Sequence, residues 1–390
     1  MRPCLARIHL DRLRANYREI KAVCGEGVEL FPVVKADAYG HGAIPCAKAL
    51  LSEGVRTLCV ACVEEALEII DSGVLARFIL LSGVFPGEEK DVLQYGLIPV
   101  ISDLESAQML DLAVKNSRTG RGKKIKVHLK VDTGMGRLGV LPEDFSGLLN
   151  GIRKLDGLEV EGMLSHLSCA GSSSEKDVRF TNKQIEDFQM IQSALARQGT
   201  PVRFFHLAQS AGLIKYPESR FNSARPGLAI YGADPFYPRQ SEDGRGGESE
   251  AKMPHLEPVM SLISRICLIK TVPQGSAISY GATTVVKRKT SLGVVSVGYA
   301  DGLPRSVPAG FNFMVRGRPG ALLGVVTMDL IMIDLTEIPE ARLGDEVVIF
   351  GKEPRGEVSV SALALSGGTI AYEIFTRLGK RVKREYTPAV

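Results

Sequence analysis

Short apolar runs alternate with amphipathic stretches from about Phe31 to Tyr231. The runs LFPVVK, TLCVACV, RFILLSG, LIPVIS, KVHLKVD, VEGMLSH, VRFFHLA and the segment near Ala224–Ile230 have no helical period. Consecutive apolar positions suit strands covered on both faces, as in a parallel sheet. Between them, CAKALLSEG, VEEALEIIDSG, DLESAQMLDLAVKN and TNKQIEDFQMIQSALARQG repeat their apolar residues at helical spacing. Several of these close on Gly, as helix C-caps do. Eight strand–helix units over about 200 residues predict an α/β fold whose N-terminal part is a (β/α)8 TIM-like barrel.

The pattern changes at Gln240–Pro254, where SEDGRGGESEAKMP is polar, charged and Gly-rich and reads as a flexible connection. Beyond it, Gly and Pro turns separate the β-branched runs SLISRICLIKTV, SLGVVSVGYA, FNFMVRG, ALLGVVTMDLIMIDL and DEVVIFG. Helical patterns return only in VSALALSGG and TIAYEIFTRLGK, which predicts a mostly-β second domain. The expected division is a barrel over 1–240, a linker over 241–257 and a β domain over 258–390. The first eight or so residues are expected to pair with that second domain.

Composition adds exclusions. The 390 residues are 45% hydrophobic and 24% charged, the balance of a soluble globular protein. A net charge of +4 spread along the chain gives no reason to expect nucleic acid. The basic cluster Arg118–Lys126 reads as a loop before a strand, and the tail KRVKRE as a charged strand end. Cys59 and Cys62 form a CVAC pair, but no second pair or nearby histidine completes a metal site, so no metal is expected. No signal segment opens the chain and no run of 18 apolar residues occurs. A cytoplasmic location with reduced thiols and no membrane contact is the expectation.

Candidate chemistry gathers at the carboxyl ends of the strands, where barrels build their sites: Lys35, Asp132, His166, His206 and Ser210. Lys35 ends the first apolar run, and desolvation there favours the neutral amine, the form that attacks a carbonyl. The same residues also accommodate a lysine that snorkels to solvent or pairs with Asp37. Tyr39 is close enough in sequence to share a pocket with it. Arg225-Pro-Gly227-Leu228 lies at the late-strand position where barrels bind phosphate. There the N–H groups of Gly227 and Leu228 and the Ser210 hydroxyl can meet phosphate oxygens. Arg137 follows a Gly–Met–Gly loop and suits a carboxylate, or is a surface arginine after a strand. Together the groups suit a phosphate and an aromatic nitrogen heterocycle.

Seven motifs in order, VVKADAYGHG, KVDTGMGRLG, RPGLAIYG, SYG, GYADGLPR, TMDLIMIDL and TIAYEI, resemble those of the alanine racemases, enzymes dependent on pyridoxal 5′-phosphate (PLP). The resemblance runs from about Ile8 to Tyr386. It implies a barrel followed by a β domain in a head-to-tail homodimer with shared active sites. Lys35 resembles the lysine that holds the cofactor as an internal aldimine. Tyr39, Ser210, the Gly227 and Leu228 backbone and Tyr372 match the phosphate ligands. Arg225 matches the arginine facing the pyridine nitrogen, and His166 the histidine linked to it. Tyr280 is similar to the second base, supplied by the other subunit. Arg137 and the Met328 backbone resemble the groups that bind the substrate carboxylate. Lys130 corresponds to a lysine often carbamylated in the family, where the carbamate orients the arginine.

The implied reaction interconverts L-alanine and D-alanine by two-base proton transfer, supplying D-alanine for peptidoglycan. A Cα proton must leave one face and return on the other, which needs bases on both sides of the cofactor plane. A tyrosine of ordinary pKa near 10 is ionised in roughly one molecule in a thousand at pH 7. Hydrogen bonds from Tyr280 through His166 to Arg225 would lessen that cost. An arginine opposite the pyridine nitrogen keeps that nitrogen unprotonated, because a guanidinium retains its proton. Gln209, Thr327 and SHLSCAGSSS depart from the family pattern and leave serine, or a broader range of amino acids, open as substrate. A basic amino-acid decarboxylase and a non-catalytic PLP-binding protein are the remaining alternatives. The first usually has a Gly-rich phosphate loop and a cysteine acid, and the second lacks a β domain.

Overall fold

The structure is a computed structural model that describes residues 3–117, 124–236 and 253–387. Strand β1 (Leu5–His9) leads into the helix Leu10–Cys24, whose buried Leu13, Tyr17, Ile20 and Cys24 recur at helical spacing on one face. Eight parallel strands follow: β2 (Glu29–Leu30), β3 (Thr57–Val60), β4 (Arg77–Leu80), β5 (Ile98–Ile101), β6 (Ile125–Lys130), β7 (Leu158–Leu164), β8 (Phe204–His206) and β9 (Ser223–Ala224). Their order is β2, β9, β8, β7, β6, β5, β4, β3. Val33 closes the ring by bridging to Cys59 in parallel. β3 and β5 are buried at every position, which is why they read as unbroken apolar runs.

Two expected strands are shorter than their patterns. Pro32 has no N–H to give, so β2 ends at Leu30, although Val33 N–H still donates to Pro226 O at 2.9 Å. The last run is a strand only at Ser223–Ala224, and Leu228–Tyr231 turns into a 3-10 helix. Phe31, Phe204, His128 and His206 fill the barrel interior, with Phe31 edge-on to Phe204 (5.2 Å) and to His206 (5.4 Å).

The C-terminal strands are β10 (Met260–Val272), β11 (Ala277–Ile278), β12 (Thr284–Val285), β13 (Thr290–Val295), β14 (Asn312–Val315), β15 (Arg318–Leu323), β16 (Ile331–Asp334), β17 (Glu346–Glu353), β18 (Gly356–Val358) and β19 (Lys383–Thr387). In the large sheet they run β18, β17, β14, β15, β16, β13, β10, β1, β19, and β17 also pairs with β10. That second pairing closes β10, β13, β16, β15, β14 and β17 into a ring. β1 is antiparallel to β10 and parallel to β19, so both chain ends join this sheet. Of the KRVKRE tail, Lys383–Glu385 open β19 as a charged strand end, and 380–382 form the turn before it. ALLGVVTMDLIMIDL divides into β15 and β16 because Gly324 turns at φ +75° between them.

Asn16 binds the first helix to the chain beyond the connection. It donates to Ile230 O (3.1 Å) and Glu257 O (2.8 Å) and accepts from Glu257 N–H (2.9 Å). Positions 237–252 of the connection, and 118–123 of the basic cluster, lie outside the described residues. Among the described residues no helix is long and apolar enough to cross a membrane.

Candidate active site

A cavity of about 350 Å³ opens at the carboxyl ends of the barrel strands, and Lys35, Tyr39, Lys130, Arg137, His166, Ser210, Arg225, Gly227 and Tyr372 all line it. Leu228, 3% exposed, follows Gly227 directly. These residues come from five strand ends and one C-terminal helix, so only the closed fold brings them together. Lys35 is half-buried, and burial first, then the charge of Arg137, lowers its pKa.

Lys35 opens an unusual turn. Ala36, Asp37, Ala38 and Tyr39 have φ between 51° and 53°, a left-handed run of four non-glycine residues. Such backbone costs about 1–2 kcal/mol per residue and persists only where its surroundings fix it. Glu65 supplies part of that restraint: one carboxylate oxygen accepts Ala36 N–H and the other Ala61 N–H, both at 2.7 Å. Asp37 accepts Ala43 N–H at 2.7 Å. His41, fully buried against Tyr231 and Phe375, reaches the carbonyls of Ala38 (2.9 Å) and Tyr39 (3.0 Å) through Nδ1. The turn swings Tyr39 back to the cavity, edge-on to Tyr231 (5.2 Å) and Tyr372 (5.5 Å).

At one end of the cavity, Ser210 Oγ accepts N–H bonds from Gly227 (3.0 Å) and Ala229 (3.1 Å). With both lone pairs occupied, its own proton can only be donated, and it suits an anion. Gly227 is required by a close approach: a Cβ there would stand 2.7 Å from Tyr39 Oη. Gln209 caps the helix that carries Ser210, its side-chain oxygen accepting from Ala211 (2.5 Å) and Gly212 (3.2 Å).

Another part of the wall is cationic. Arg225, 4% exposed, sends its terminal nitrogens into the protein, to His206, Ser165 O and Leu207 O. Its Nη2 also stands 3.4 Å from His166 Nδ1, one link of the chain expected toward Tyr280. Burial lowers the Arg225 pKa to about 10, which leaves it charged at neutral pH. Burial, and next the Arg225 charge, pushes His166 well below its usual range. Lys130, 5% exposed, is brought down to about 7 by burial and then by Arg225 and Arg137. Asp132 shapes the neighbouring loop, its carboxylate accepting the N–H groups of Gly134, Met135, Gly136 and Arg137 at 2.7–3.1 Å. Among the described residues no acidic side chain lines the cavity, which holds Lys35, Lys130, Arg137 and Arg225 together. It is built for a ligand carrying negative charge at more than one place, and a phosphate with a carboxylate meets that description.

Tyr280 and Met328 do not line this cavity. They are 74% and 52% exposed. Their loops are joined, since Ser279 Oγ donates to Val325 O at 2.9 Å, so one edge of the β domain presents both. Glu65, His128 and Glu161 were not singled out from the sequence, and only Glu65 had a signal, its place in the first helical turn after β3.

Family models for the alanine racemase N-terminal domain and C-terminal domain match residues 8–235 and 259–386. The alanine racemase of Halothermothrix orenii is 37% identical over 386 residues, covering 99% of this chain and 97% of that one. That of Desulforamulus reducens is 36% identical over 386 residues, covering 98% and 99%. Among solved structures, the alanine racemase of D-cycloserine-producing Streptomyces lavendulae superposes with a TM-score of 0.88 at 33% identity, covering 100% of this chain and 98% of that one. The Bacillus anthracis enzyme with bound L-Ala-P gives 0.85 at 31% identity, covering 100% and 96%. The two family models and the full-length relatives agree on both halves of the molecule: the chain belongs to the alanine racemase family.

Proposed function

We propose that this chain interconverts L- and D-alanine with PLP held in the Lys35 cavity, as a cytoplasmic homodimer whose partner subunit completes each site. The observation that carries this reading is the cavity wall itself, which among the described residues has four basic side chains, a serine restricted to donating and no acid. Lys35 would hold the cofactor covalently. Tyr39, Ser210, Tyr372 and the Gly227–Leu228 backbone would hold its phosphate, and Arg225, backed by His166, would face the ring nitrogen. PLP, when bound, supplies an electron sink that makes a Cα proton removable.

The chain's own groups supply the rest. Lys35, with its lowered pKa, takes and returns a proton at Nζ on one face. Tyr280 of the other subunit serves the opposite face through its hydroxyl. Arg225 stays protonated and can only donate, so it leaves the ring nitrogen without a proton and limits side reactions that need a stronger sink. Arg137 and the Met328 backbone N–H bind the substrate carboxylate. Among the described residues Cys24, Cys46, Cys59, Cys62, Cys169 and Cys267 take part in no disulfide, which suits a reducing compartment. The division at 240 and 258 follows from the same reading, with the barrel carrying the cofactor and the β domain the residues given to the partner.

Incubation with L-alanine and PLP in heavy water tests it. The expected result is both enantiomers, each with deuterium at Cα. Release of carbon dioxide instead, or a yellow protein that exchanges no proton, would refute the proposal.

A further inference from the structure

Arg225 is a buried cation with no carboxylate in contact among the described residues. Around it stand Lys35, Lys130, Arg137, His166 and the Cys59 thiol, none of them an acid. Its Nη1 lies 2.6 Å from His206 Nδ1. A guanidinium offers only hydrogens, so His206 Nδ1 must accept and the single proton of a neutral ring must sit on Nε2. Nε2 lies 2.7 Å from His128 Nδ1. It follows that His206 donates, that His128 Nδ1 accepts, and that the His128 proton is also on Nε2. That nitrogen is buried, has no hydrogen-bond partner among the described residues and stands 3.7 Å from Glu161 Oε2. The separation is too long for a hydrogen bond but close enough for a dipole to face a charge.

Glu161 is itself buried and lies toward the amino ends of the strands, held by Arg77 of β4 and by Lys126 of β6 at 2.9 Å. Burial opposes its charge, yet His128, Lys126 and Arg77 keep the carboxyl well below its usual range. Burial also keeps both imidazoles below their usual range, so both remain neutral. One directed line therefore crosses the barrel interior from the floor to the site.

We propose that Glu161 is the remote counter-ion of Arg225, coupled to it through His128 and His206 as neutral Nε2–H tautomers whose dipoles align between the two charges. His128, His206 and Glu161 are then positioning residues, which keep Arg225 charged and its terminal nitrogens fixed in place. The proposal rests on the racemase reading for what Arg225 faces, but the tautomers are a property of the protein alone.

Two measurements test it. In ring nitrogen-15 NMR of the protein, assigned by single His→Gln variants, His128 and His206 are expected neutral from pH 6 to 9 with the proton on Nε2. A proton on Nδ1 of either ring overturns the proposal. With PLP added, the pH midpoint of the bound cofactor's visible absorbance is expected to fall by roughly half a pH unit in Glu161→Gln, because a negative charge is lost. Glu161→Asp, which keeps the charge, should hold the wild-type midpoint. A purely structural glutamate would lower thermal stability in both variants and move neither midpoint, and that result overturns the proposal. If PLP gives no visible band at all, the racemase reading fails and the tautomers alone decide this inference.

Discussion

Glu65 accepts the backbone N–H of Ala36 at 2.7 Å, and by this bond a residue after the second barrel strand restrains the left-handed turn that follows Lys35. Its other oxygen holds Ala61, so the carboxylate ties the turn to the end of β3. Hydrogen bonds to a charged group contribute about 1.5–3 kcal/mol each. Glu65→Ala removes both while the turn keeps its backbone cost. PLP affinity is expected to fall about ten- to a hundredfold, with a smaller loss in Glu65→Gln, which keeps one acceptor oxygen. Absorbance titration with PLP measures it, and wild-type affinity in the alanine variant would contradict the clamp.

This turn also shows where the sequence stops being informative. The barrel strands were legible because strands covered on both faces become uninterrupted apolar runs, as in β3 and β5. Lys35, Ser210 and Arg225 were legible because strand ends and late-strand glycines have recognisable neighbours. A left-handed run of Ala-Asp-Ala-Tyr has no such mark, since those residues disfavour it and the restraint comes from Glu65 and His41. The relation of His128 to His206 was hidden for another reason. It joins β6 to β8 across the barrel interior, and neither local spacing nor charge pattern encodes it.

Gly227 has no room for a side chain. An added Cβ would lie 2.7 Å from Tyr39 Oη and 3.2 Å from the ring, and Tyr39 is itself hemmed in by Tyr231 and Tyr372. Gly227→Ala should destabilise the protein by about 1–3 kcal/mol and weaken PLP binding at least tenfold, by the cost of overpacking. Calorimetry and absorbance titration check both, and an unchanged PLP affinity would refute the proposed role of Tyr39 in holding a phosphate.

Lys130 is the group whose ionisation most directly predicts a pH effect. With its pKa brought down to about 7, it is neutral above that pH, and a neutral amine can take up carbon dioxide. Removing dissolved carbon dioxide is expected to lower activity, and bicarbonate to restore it, with the larger effect above pH 7. The linkage has a definite sign. Between about 7 in the folded chain and the unfolded value near 10.4, the unfolded state holds the extra proton, so stability rises with pH across that window. Lys130→Met should flatten that slope and abolish the bicarbonate response, read by chemical denaturation at several pH values and by mass spectrometry of the intact chain. A bicarbonate response that survives in the variant would assign it to another group.

The departures at Gln209 and Thr327 have structural occupations. Gln209 caps the helix bearing Ser210, and an asparagine can cap in the same way. Thr327 Oγ1 donates to Leu330 O at 2.7 Å and accepts from Leu330 N–H at 3.2 Å, so its hydroxyl is engaged within its own loop. Gln209→Asn and Thr327→Cys are therefore expected to change the ratio of kcat/KM for alanine and serine by less than about threefold, under 1 kcal/mol of discrimination. Gln209→Ala should instead cost about 1 kcal/mol of stability. A tenfold shift in the ratio for either of the first two would make that residue a determinant of substrate choice.

Tyr280 gives the sharpest test of a shared site, because it stands 74% exposed and outside the cavity that holds Lys35. If each site takes Lys35 from one subunit and Tyr280 from the other, Lys35→Ala and Tyr280→Phe chains are inactive alone. In a mixed dimer one site receives both substitutions and the other receives neither. Random pairing of equal amounts makes half the dimers mixed, so about a quarter of wild-type turnover should return. The measurement is activity after subunit exchange, with the mixed dimer demonstrated by two affinity tags. If the tagged mixed dimer forms and stays inactive, Tyr280 does not reach the partner's Lys35, and the second base must be sought on the same chain.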